Sequence, residues 1–98
     1  MSKRTLTAEE RQILLSEMQY EAKMYNIYVA DMRLSDKDYN GSRQCFVNHK
    51  ARLSTMVYLF SYMFDCEIKT EMRDGLYTFV SVDGEIREMD SYTEKEEI

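Results

Sequence analysis

Apolar residues return every three or four positions along two long stretches of this chain, and then every second position up to residue 89. In the first stretch Leu14, Met18, Ala22, Tyr25, Val29 and Met32 fall at helical spacing and so line one face of an amphipathic helix. Thr7-Ala8-Glu9-Glu10 marks its start. Thr7 and Glu10 stand at the two positions of a capping box, and the early carboxylates suit the positive end of the helix dipole. The helix is predicted to run to about Arg33. A second apolar set, Ile13, Tyr20, Met24, Ile27 and Tyr28, lies beside the first. The combined arc is wider than one partner helix covers, so this helix is either buried on two sides or keeps a face for another chain.

Leu34 to Gly41 (LSDKDYNG) reads as a loop, with Asn40-Gly41 as its turn and Ser42 placed to cap a second helix. That helix is predicted from about Arg43 to Asp65, with Phe46, His49, Leu53, Met56, Phe60 and Met63 as its stripe. So short a connection makes the two helices an antiparallel αα-hairpin.

The period then changes to two. Cys66 to Met72 alternates, with Ile68, Thr70 and Met72 on one face. Leu76 to Val82 is rich in β-branched and aromatic residues, and Asp74-Gly75 and Asp83-Gly84 flank it as hairpin turns. Glu85 to Met89 makes a third strand. The result is an antiparallel meander with Leu76–Val82 in the centre and charged strands guarding the edges. The fold class is α+β: an antiparallel αα-hairpin followed by a small three-stranded β-meander. Ile68, Met72, Val80 and Ile86 are expected to face the helices. Residues 1–89 form one domain, and 90–98 (DSYTEKEEI) is expected to be a disordered acidic tail.

A chain of 98 residues can bury a core without covalent staples. Its net charge of -5 points away from nucleic acid as the main partner and fits an ordinary soluble surface or a basic partner. Cys45 and Cys66 lie near opposite ends of the second helix, about 31 Å apart by helical rise, too far to bridge. Free thiols fit a reducing, cytoplasmic setting. No apolar run follows Lys3-Arg4, so no signal peptide is read, and no stretch is apolar enough for a membrane span.

No catalytic residue is nominated. The chain has one His, no signature of an activated nucleophile and no Gly-rich phosphate loop. Cys45 and His49, four apart on a helix, could offer two metal ligands, but no third is within reach, and no metal or other cofactor is expected. Asp36-Lys37-Asp38-Tyr39-Asn40-Gly41 fits the first half of a calcium loop, yet Val47 stands where the bidentate Glu belongs.

Two features bear on binding. Arg43 to Phe64 contains no acidic residue although the protein is acidic. Arg43, Asn48, His49, Lys50 and Arg52 cluster near the start of that helix, where free amides favour an anion. The chain also carries eight Tyr and eight Met, more than two helices and three strands can hide. Tyr20, Met24 and Tyr28 on the first helix, with Tyr58 and Tyr62 on the second, are the expected interface. The function expected first is that of a small non-enzymatic interaction protein, a homodimer that binds and modulates another protein. Small acidic inhibitors encoded by phages and mobile elements share this profile. The alternative is an oligomer that sequesters a small anionic ligand such as a nucleotide on the basic set, with a Tyr stacked on its base.

Overall fold

The computed structural model describes residues 3–34 and 40–89, with side chains throughout except at 34, 40–43 and 46. Two helices, α1 (Ala8–Leu34) and α2 (Asn40–Met63), precede three strands: β1 (Ile68–Arg73), β2 (Leu76–Val82) and β3 (Glu85–Glu88). The strands form one antiparallel sheet in the order β1-β2-β3. The fold is the α+β arrangement that the periodicity predicts, third strand included.

The start of α1 is a complete capping box. The Glu10 amide donates to Thr7 Oγ1 at 3.1 Å, and the Thr7 amide donates to Glu10 Oε1 at 2.9 Å. The amino end of α1 meets the carboxyl end of α2: the Asp65 amide donates to the Arg4 carbonyl, and the Arg4 guanidinium lies 4.9 Å from the Phe64 ring centroid. At the opposite end Tyr28 of α1 stacks on His49 of α2. The helices are therefore antiparallel.

The wide apolar arc of α1 is buried on two sides, against α2 and against the sheet, chiefly β2. Leu14, Leu15, Met18, Ala22, Tyr25 and Val29 are all buried, with Leu53, Val80 and Val82 facing them from the other elements. Each fully buried aliphatic side chain contributes about 1.5–3 kcal/mol. By contrast α2 packs on α1 and barely touches the sheet. Asn26, fully buried in α1, ties that helix to β2: its side-chain amide donates to the Tyr77 carbonyl at 2.9 Å, and its oxygen accepts from the Tyr77 amide at 2.8 Å.

Both hairpin turns have positive φ at the Asp and at the Gly (Asp74 55°, Gly75 81°; Asp83 51°, Gly84 86°), the type I′ geometry expected of Asp-Gly. Between β1 and β2 the pairing passes from Glu71–Phe79 to Met72–Tyr77, leaving Thr78 as the extra residue of a bulge. The Thr78 hydroxyl donates to the Glu71 carbonyl at 3.2 Å.

Four expectations need correction. Ile86 is 54% exposed and does not face the helices. It pairs with Ser81, whereas Val80 pairs with Arg87 and Val82 with Glu85, so the charged residues of β3 take the helix side. This is the register that the two-residue Asp83-Gly84 turn dictates, since it sets Val82 opposite Glu85 and so Ser81 opposite Ile86. Glu85 accepts from Arg11 Nε at 3.2 Å and Gln12 Nε2 at 2.6 Å, while Arg87 donates to Gln12 and Gln19. Met72 is 37% exposed because α1 lies over β2 and leaves the β1 side uncovered. Met63, expected on the buried stripe of α2, is half exposed in its last turn. Finally, α2 begins at Asn40, so Asn40-Gly41 opens the helix and does not form the connecting turn. Asn suits a helix start as well as a turn, and sequence does not separate the two uses. The half calcium loop at 36–41 and the tail at 90–98 lie outside the described residues.

Candidate interaction surface

The only charged side chains of α2 between Val47 and Met63 are Lys50 and Arg52, apart from what His49 carries. His49 and Leu53 are buried against α1, with Met56, Val57 and Phe60 partly buried beside them. At 3.6 residues per turn, Val47, Ala51, Ser54, Thr55, Tyr58 and Tyr62 then form the outward face. That face bears no charge. Tyr58 is 68% exposed and Tyr62 72%, and their rings stack with planes 6° apart and centroids 6.5 Å apart. The two rings form one exposed aromatic ridge.

An open groove of about 600 Å³ runs beside the ridge, between α2 and the sheet. Leu53, Val57, Tyr58, Thr70 and Tyr77 line it, and Lys3 joins them. The groove exists because α1 alone joins α2 to the sheet. Lys3 Nζ donates to the Ser61 carbonyl at 2.8 Å, placing a cation near the negative end of the α2 dipole.

The polar centre of the molecule lies in the seam between α1 and α2. His49 Nδ1 lies 2.5 Å from Glu21 Oε1, and both residues are more than nine-tenths buried. Tyr28 stacks on the imidazole at 5.8 Å between centroids, and Tyr20 meets it edge-on at 6.2 Å. Cys45, one turn before His49, touches the Tyr28 hydroxyl and pushes that group above its ordinary pKa, since a thiolate there would oppose the phenolate charge. Burial likewise raises the Tyr77 hydroxyl, and burial followed by Asp83 and Asp65 raises the Cys66 thiol. Among the described residues no three of His, Cys, Asp and Glu come together to hold a metal ion, so Cys45 and His49 gain no third ligand.

The structure divides the residues that sequence reasoning groups together. His49 is committed to Glu21 inside the seam and presents little to solvent. Asn48, Lys50 and Arg52 are exposed, but Lys50 leaves the helix roughly 160–200° away from the other two. The Arg43 side chain lies outside the described set. Of the expected interface residues, Tyr58 and Tyr62 face outward together, Tyr20 is half exposed, and Met24 and Tyr28 are partly buried, Tyr28 against His49. Sequence reasoning missed two pairings: Glu21 with His49, and Asn26 with the β2 backbone. A carboxylate and an amide on the wide apolar arc of α1 were the available signals, since polar groups there need partners.

Among the described residues no helix is long and apolar enough to cross a membrane. Comparison with known proteins finds no matching family model, no matching relative among curated proteins and no matching solved structure.

Proposed function

We propose that this chain is a small non-enzymatic interaction protein that binds and modulates protein surfaces through the outward face of α2. The observation that carries the reading is the stacked Tyr58–Tyr62 ridge, about 70% exposed on a charge-free helix face. Large rings in water are costly unless a partner covers them, and Tyr is among the residues that anchor interfaces. The sole histidine is held in a buried pair, so it is not presented for proton transfer at the surface. Two free cysteines support a reducing, cytoplasmic setting. The anionic-ligand alternative has less support, because Lys50 points away from Asn48 and Arg52 and His49 is engaged.

Affinity capture from cells expressing the tagged chain, native against Tyr58→Ala/Tyr62→Ala, tests this reading. The double substitution is expected to remove the captured proteins while the far-ultraviolet circular dichroism stays close to native. Full retention of the same partners by the folded double variant would remove α2 as the docking face.

A further inference from the structure

We propose that the occupant of this face is a second copy of the chain, packed as an antiparallel α2–α2 pair whose two-fold axis passes between Ser54 and Thr55. The proposal rests on the reading of α2 as a docking face and names its partner.

The shape of the face is the first argument. Along the outward stripe the amino half is flat, with Ala51, Ser54 and Thr55 following Val47, while the carboxyl half carries the Tyr58–Tyr62 ridge. A two-fold axis between residues 54 and 55 lays Ala51 against the partner's Tyr58 and Val47 against the partner's Tyr62. Each ridge then fills the other copy's flat half. A parallel pair would set ridge on ridge and leave the flat halves apart. One patch that complements itself is what an isologous two-fold contact requires.

Charge is the second argument. Lys50 and Arg52 both lie in the amino half. A two-fold axis brings like flanks together, so in the antiparallel register Lys50 lies beside the partner's Val57 and Arg52 beside the partner's Leu59, where their aliphatic stems cover apolar surface. The two Lys50 ammonium groups are then displaced by about 13 Å along the axis, more than a Debye length at physiological salt. A parallel pair would bring like cations abreast. Asp65, exposed just past the end of α2, comes level with the amino end of the partner's helix, where free amides favour an anion.

Area is the third. With Tyr58 and Tyr62 at 68% and 72% exposure, four rings remove on the order of 500 Å² from water. Val47, at 48% exposure, and Leu59, at 46%, join the small residues of both copies in extending the contact. Together they bring it to roughly 1,100 Å², at the threshold of a specific interface.

Light scattering on the native chain and disulfide mapping of single-cysteine additions test the proposal together. The native chain is expected at twice its monomer mass. Mild oxidation of Ser54→Cys, in the otherwise native chain, is expected to give a peptide linked from 54 to 54. Val47→Cys should give no self-link, because its two copies lie about 22 Å apart along the axis. A 47–47 link as strong as the 54–54 link would mean a parallel pair and overturn the proposal. A dimer without the 54–54 link would place self-association elsewhere and overturn it too. A monomeric native chain would remove the second copy as occupant, whereas the docking face itself would stand if Tyr58→Ala/Tyr62→Ala still lost its captured partners.

Discussion

Replacing His49 by leucine should destabilise the protein far more than replacing His49 and Glu21 together. The two groups meet at 2.5 Å with 8% and 7% exposure, so in the single variant the Glu21 side chain stays in the seam without its hydrogen-bond partner. Leaving a buried polar group without its partner costs about 1–3 kcal/mol, and more for a charged one. A domain of this size has about 5–15 kcal/mol in all. At roughly 4–8 °C per kcal/mol, the melting temperature should fall by at least roughly 4 °C. In Glu21→Leu/His49→Leu no polar group of the pair remains unpartnered, and two aliphatic groups fill the seam. Its stability should return to within about 1–2 kcal/mol of native. Urea unfolding followed by far-ultraviolet circular dichroism gives both numbers, provided protein concentration is held fixed so that self-association does not shift the midpoints. The resulting double-mutant cycle should show a coupling of at least about 2 kcal/mol. If His49→Leu cost less than about 1 kcal/mol, or if the double variant lost the plain sum of the singles, the pair would not be what holds the seam at this point.

Two further predictions concern the anchoring of α1. Asn26→Leu leaves both the amide and the carbonyl of Tyr77 without their present partner in a buried site, and should cost about 2–5 kcal/mol by urea unfolding; a native-like midpoint would mean that other groups satisfy that backbone. Arg4 first, and then the Thr7 amide, hold the Glu10 carboxyl down at about 2, against an ordinary value of 4.5. A lowered folded value means that its contribution is fully present above about pH 4.5 and is lost as pH falls toward 2. In Glu10→Gln this part of the acid sensitivity should vanish, leaving the smaller share from Glu85, which Gln12 and Arg11 also hold low; an unchanged acid-unfolding curve would refute the assignment.

Period and punctuation made the fold legible. The Thr7–Glu10 box, the two Asp-Gly turns and the change from helical to alternating spacing mark elements that the structure forms, because each depends on neighbours in the chain. What was not legible depends on partners far away in sequence. The place of Ile86 was within reach, since the two-residue Asp83-Gly84 turn sets it opposite Ser81, but the polar glutamines of α1 that receive Arg87 carry no periodic signal of their own. At the candidate surface Tyr58 and Tyr62 stood out because they lie off the buried stripe of their own helix. The buried role of His49 was half visible from its place on that stripe. Its partner was not, since five carboxylates of α1 were available and only the packing of the helices selects Glu21.

The layering also sets where the molecule comes apart. Because α1 alone stands between α2 and the sheet, the contacts of α2 with the rest run chiefly through a single seam, while α1 and the sheet share a core that does not depend on that seam remaining closed. Separation of α2 from the body is then a parting from α1, governed by the seam's free energy and not by that of the whole domain. Such an opening would bring His49 and Glu21 into water together. Hydrogen exchange at the α2 amides then reads the seam, and exchange at the amides of α1 and the sheet reads the body that carries it.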